Sequence, residues 1–97
     1  MIQGNLSPFT LWKNEEKLLT TSSQKLSDDS VSCRSVRILA KATNTDKIYI
    51  GSENLTTSNY TIFLEANEAV EIEIEDINKI YLIAVVNGEG VNYHYVI

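Results

Sequence analysis

Positive charge, cysteine, histidine and long apolar runs are all scarce in this 97-residue chain. Eight Lys and Arg stand against thirteen Asp and Glu, for a net charge of −5 and an isoelectric point near 4.7. Nucleic-acid binders draw most of their affinity from Lys and Arg that neutralise phosphates, so the balance argues against that class. It argues equally against an anionic membrane surface. The longest apolar run, Ile80-Tyr81-Leu82-Ile83-Ala84-Val85-Val86, is of strand length, far below the ~20 residues a membrane-crossing helix needs. The start, Met1-Ile2-Gln3-Gly4-Asn5, has no positive region leading into an apolar stretch, so no signal peptide is expected. The single cysteine, Cys33, excludes an internal disulfide framework, and folding in a reducing cytosol is expected.

The length suits one domain spanning residues 1–97. Folding at this size buries about 10,000 Å². With ~60% of that apolar, the hydrophobic gain is about 150 kcal/mol at ~25 cal/mol per Å². Ordering the chain costs about 145 kcal/mol. The two nearly cancel, so such a domain gains much from a partner.

Isoleucine, valine and threonine are abundant and alanine is sparse, the composition of many short strands. Between Ala69 and Glu75, Val70, Ile72 and Ile74 alternate with Glu71, Glu73 and Glu75, placing aliphatics on one strand face and carboxylates on the other. Ser35 to Ala40 alternates similarly, and Lys47 to Gly51 sets Ile48 and Ile50 opposite Tyr49. Ile80 to Val86 is apolar on both faces and reads as a central strand. Gly90 to Ile97 sets Val91, Tyr93, Tyr95 and Ile97 against Asn92, His94 and Val96. Asn87-Gly88-Glu89-Gly90 is a turn signal, as are Asn44-Thr45-Asp46 and Glu65-Ala66-Asn67-Glu68. Asp76-Ile77-Asn78 reads as one helical turn or a tight loop, and residues 51–60 as a surface loop. Phe9 to Trp12 and Lys17 to Thr20 are expected as edge strands, with a loop over residues 22–32. These readings predict an all-β domain, a single antiparallel β-sandwich of jelly-roll or Ig-like type, with a small barrel as second choice.

Nothing in the residue pattern supports catalysis. Neighbouring carboxylates in the Glu71, Glu73, Glu75 row would lie ~7 Å apart, too far for two to share one Ca²⁺. A solvated face that discourages edge-to-edge aggregation is the simpler account. His94, the one histidine, has no nucleophile elbow to serve and lacks a zinc-ligand set. Cys33 reads as a small semi-buried side chain. Gly88-Glu89-Gly90 lacks the third glycine and following helix of a nucleotide site. Three Asn-x-Ser/Thr matches, at Asn5, Asn54 and Asn59, are treated as chance. No catalytic residue, cofactor or metal is expected. Trp12, Tyr49, Tyr60, Tyr81, Tyr93 and Tyr95 could instead form an aromatic platform for sugars, or pack between sheets or at an interface.

Several phrases taken in order resemble small structural proteins of tailed bacteriophages. They are Cys33-Arg34-Ser35-Val36-Arg37-Ile38-Leu39-Ala40, then Asn44-Thr45-Asp46-Lys47-Ile48-Tyr49-Ile50-Gly51, then Phe63-Leu64 leading to Glu68. Asp76 to Ala84 follows, and Gly88-Glu89-Gly90-Val91-Asn92-Tyr93-His94-Tyr95 closes the series. Such proteins often carry an Asn-Thr-Gly-x-Ile-Tyr-Val-Gly phrase, a Leu-x-Pro-Gly-Glu turn and a Gly-Glu-Gly-Val ending. Here Asp46 stands where glycine is common, and Ala66-Asn67-Glu68 replaces the Pro-Gly-Glu turn. The resemblance covers residues 33–95. It implies a β-sandwich virion component made in the host cytoplasm, with no catalytic residues to carry over.

The resulting expectation is a non-enzymatic virion protein, a capsid decoration or auxiliary head protein that binds major capsid or other virion subunits. A tail or head–tail component is the alternative. A carbohydrate-binding β-sandwich module is the rival of another class. The apolar last strand, with Tyr93, Tyr95, Val96 and Ile97, is the expected interface, since uncovered it is an aggregation hazard. A homo-oligomer is therefore expected, or a domain clamped to a larger protein. The resemblance points to a trimer.

Overall fold

The computed structural model describes residues 12–96. Strand formation follows the alternation of the sequence. The strands are β1 (Trp12–Leu18), β2 (Gln24–Lys25), β3 (Ser35–Ala40), β4 (Ile48–Gly51), β5 (Ile62–Leu64), β6 (Ala69–Glu73), β7 (Tyr81–Ala84) and β8 (Gly90–Val96). One 3-10 turn, Ile77–Lys79, precedes β7, with Asp76 as its N-cap. Phe9 to Leu11, Ile97 and the Asn5 motif lie outside the described residues, as does the side chain of Trp12.

The strands form two four-stranded antiparallel sheets, ordered β1-β8-β3-β6 and β2-β7-β4-β5. They pack face to face as a β-sandwich, not a closed barrel. Every connection except β4 to β5 crosses from one sheet to the other. That order is the jelly roll, so of the two expected sandwich types the Ig-like one does not apply.

Each inner face is made by alternate residues of its strands. Val36, Ile38 and Ala40 of β3 and Val91, Tyr93 and Tyr95 of β8 come from the first sheet. Ile48 and Ile50 of β4 and Leu82 and Ala84 of β7 meet them from the second. Leu19, just after β1, closes the core at the Gly88–Glu89 end, and Leu26, just after β2, closes it at the other end beside Ile80. As expected, β7 is central and apolar on both sides. Ile83 points away from the core cluster yet is only 6% exposed.

The connections are fastened at both ends of the sandwich. At one end, the Glu89 carboxylate accepts from the Thr45 N–H and Oγ–H, both at 2.6 Å, and from the Asp46 N–H at 3.2 Å. Beside it, Gly88 takes the left-handed backbone (φ 90°), and Asn67 does the same at φ 68°. Asparagine tolerates that conformation, which explains why it can stand in the turn where glycine is usual. At the other end, Asp76 accepts from the N–H groups of Val31 and Asn78, both at 3.0 Å, and from the Ser30 hydroxyl.

Two expectations change. The expected edge strands at 9–12 and 17–20 are replaced, among the described residues, by the continuous β1, whose polar middle is held by its ladder to β8. The expected loop over residues 22–32 contains the two-residue β2, paired to Leu82 and Tyr81.

Candidate functional site

On the outer face of the second sheet, Tyr49 of β4 lies directly between Ile83 of β7 and Phe63 of β5 in the cross-strand register. Tyr60 leans in from the loop before β5. Its ring centroid is 4.8 Å from that of Tyr49 and 6.0 Å from that of Phe63, and Tyr49 and Phe63 are 6.2 Å apart. The rings are tilted by 57–73° to one another, the favourable edge-to-face range. The Lys47 ammonium sits 5.5 Å from the Phe63 centroid, within cation–π reach. Tyr60 is 42% exposed, so the cluster forms a ridge open to solvent.

The outer face of the first sheet is polar. Arg37 of β3 stands between His94 of β8 and Glu71 of β6, directly opposite both. Burial and the Arg37 charge hold the His94 imidazole below its ordinary pKa of 6.5, against a smaller upward pull from Glu71. Ser35 shares a depression with these three side chains. A serine, a histidine and a carboxylate thus share one surface. Arg37, however, lies between the last two, whose strands are about 10 Å apart at ~4.8 Å per strand. Among the described residues the N–H groups of β3 and β8 are engaged in the sheet ladders on both sides, and the free ones of β6 lie along the sheet edge, away from this outer face.

Glu71 and Glu73 project outward from β6, as the alternation predicts. Glu75 is ion-paired with Lys79. No group of three His, Cys, Asp or Glu side chains suited to a metal occurs among the described residues. Cys33 is half-buried, as expected, and its thiol donates to the Ile74 carbonyl at 3.2 Å. Burial raises its pKa, with a further push from Asp76, the opposite of an activated thiol.

The strand expected to supply the interface lies inside its sheet. β8 is paired on both edges, by β1 and β3, and Tyr93 and Tyr95 are only 8% and 7% exposed within the core. Val96 is half-buried on the outer face, and Ile97 lies outside the described residues. The apolar pattern of this strand records a central position, not an uncovered edge. Of the six rings considered as a platform, only Tyr49 and Tyr60 come together in a ring cluster among the described residues. Phe63 was missed because its three-residue strand is too short to show alternation. The available signal was its place in Ile62-Phe63-Leu64, where the flanking aliphatics turn toward the core, Leu64 buried and Ile62 half-buried, and the middle side chain turns out.

Comparison with protein-family models, curated proteins and solved structures found no match to this chain.

Proposed function

We propose that this domain is a non-enzymatic structural protein of a bacteriophage virion, a capsid decoration protein that binds other virion subunits. A tail or head–tail position is the alternative within the same class. The resemblance over residues 33–95 motivates the class. The observation that supports a binding role is the ridge of Tyr49, Tyr60 and Phe63, with Lys47 at its margin. Aromatic side chains on a rigid strand surface are enriched at protein interfaces, because they contribute large area with little loss of side-chain freedom. In this reading the ridge replaces β8 as the contact surface, and covering it by further copies or by a larger subunit adds to a small domain's stability.

The test is to locate copies of the protein in purified particles and to measure capture of capsid or tail subunits by the wild type and by Tyr49→Ala and Tyr60→Ala. Presence in particles and capture weakened about tenfold by either change are expected. Absence from particles removes the virion reading, and capture indifferent to both changes removes the ridge as its contact. Sedimentation at micromolar concentration separates a trimer from a monomer that binds only a larger partner.

The exposed Tyr60 ring favours one second reading, a carbohydrate-binding module. The steep tilts within the cluster make a poor flat stacking surface, so this reading ranks behind. A glycan array probed with the same two variants decides it. Binding that both variants lose would put this reading first.

A further inference from the structure

The two sheets do not close on each other where β6 and β5 form their edges. Among the described residues β6 is bonded only to β3, and β5 only to β4, so each presents a backbone edge unpaired by them on the same side of the molecule. Pairing continues beyond β6, since Ile74 N–H and Cys33 N–H complete bonds to Arg34 and Glu75. The usable edge therefore runs from Ala69 to Glu75, while β5 has only three residues. This difference in length leaves Val70, Ile72 and Ile74 half-buried. They line an apolar cleft of about 460 Å³ between the sheets, with Ile50, Ile62 and Ile80 on the far wall.

The geometry points to this edge as the docking site for an extended segment of a partner protein in which basic and apolar residues alternate. Added as a strand beside β6, the segment takes up the free N–H and C=O groups of the edge. Side chains opposite Val70 and Ile72 enter the cleft. Those opposite Glu71 and Glu73 lie on the outer face beside two exposed carboxylates, where Lys or Arg gives favourable cross-strand pairs. The same carboxylates disfavour a second copy of this chain as occupant. Two β6 edges paired antiparallel bring acid rows together, and like charges directly opposite are destabilising. The acid row thus rejects self-pairing and selects for a basic strand. This site is separate from the aromatic ridge and does not depend on the virion reading.

The probe is a blocked seven-residue peptide alternating lysine with isoleucine or valine, titrated into the full-length ¹⁵N-labelled protein. Controls are its glutamate counterpart and a form N-methylated on alternate residues. The expected result is binding of the lysine peptide with amide shifts confined to β6, β5 and the cleft. The acidic and N-methylated peptides should bind at least about tenfold more weakly. A Glu71→Lys/Glu73→Lys double variant should reverse the preference and bind the glutamate peptide. Both positions are exposed, and an unchanged amide spectrum checks that the variant is folded. No binding, shifts mapping elsewhere, or a preference untouched by the charge reversal overturns the proposal. Equal binding of the N-methylated peptide also overturns it, and assigns the cleft to small apolar ligands instead.

Discussion

The side-chain amide of Asn44 holds the backbone of Gly90 from both sides. Its Nδ2 donates to the Gly90 carbonyl at 2.8 Å, and its Oδ1 accepts from the Gly90 N–H at 3.0 Å. The pair lies 46 residues apart in sequence and ties the β3–β4 connection to the start of β8. Asn44 is the one buried polar side chain among the described residues, at 8% exposure. Asn44→Ala removes both bonds and leaves a buried N–H without a partner, so a loss of about 2–3 kcal/mol is expected. Gly90→Ala should be at least as harmful, about 3 kcal/mol or more, because its Cβ would stand 2.3 Å from the Lys17 carbonyl oxygen. Urea unfolding of both variants checks this, and a change below about 1 kcal/mol in either contradicts the clamp.

Tyr95→Ala and Tyr93→Ala each delete a core ring, beside Val36 and Ile38 of the neighbouring strand and in the layer that meets the second sheet. Each should cost about 3–5 kcal/mol. The informative contrast is with association. Stability kept while self-association is lost would restore these rings to an interface.

Glu73→Gln should change stability by no more than about 0.5 kcal/mol, since Glu73 is exposed on an edge strand opposite Ser35. A metal-dependent melting temperature that Glu73→Gln abolishes would show that the acid row has a role this fold does not reveal.

Stability should fall toward acid in two stages. His94 has a folded pKa below 6.5, so the unfolded chain takes up its proton first and stability drops as pH falls from 6.5 toward the lowered value. Glu89 and Asp76 are held below their ordinary values of 4.5 and 3.8 by the hydrogen bonds they accept, led by those from Thr45 and Ser30. Their contribution is present above those values and is lost as pH falls through the folded ones. Cys33 and Tyr93 are raised, so their share is kept below 9.0 and 10.0 and lost above. Thermal melts from about pH 7 to about pH 3 should show both acid stages in the wild type. His94→Gln should lack only the upper one. If it keeps the upper slope, another group is titrating there.

Much of the fold was legible because a strand with one wet face writes its geometry into alternate residues. Val70, Ile72 and Ile74 against the glutamates, and Ile48 and Ile50 against Tyr49, did this plainly. Asp76 announced the helical turn it caps. β1 was illegible for the opposite reason. Lys13-Asn14-Glu15-Glu16-Lys17 carries no apolar alternation, and the strand exists through its backbone bonds to β8. The place of β8 could not be read from its own residues, because an apolar strand at an edge and one in the centre look alike until partners are assigned. The ring cluster was half visible, through Tyr49 and Tyr60. The cleft was invisible, since it arises from a length difference between two strands far apart in sequence.

The central place of β8 also governs the order in which the fold can be completed as the chain is made. Synthesis runs from the N-terminus, so β8 is the last of the eight strands to appear. Without it, among the described residues, β1 has no partner in its sheet and β3 is bonded on one side only, by β6. The inward residues Val36, Ile38, Leu82 and Ala84 then lack the Tyr93 and Tyr95 layer that fills the core beside them. A chain without β8 therefore lacks the strand that joins β1 to β3, and its core stays open on that side.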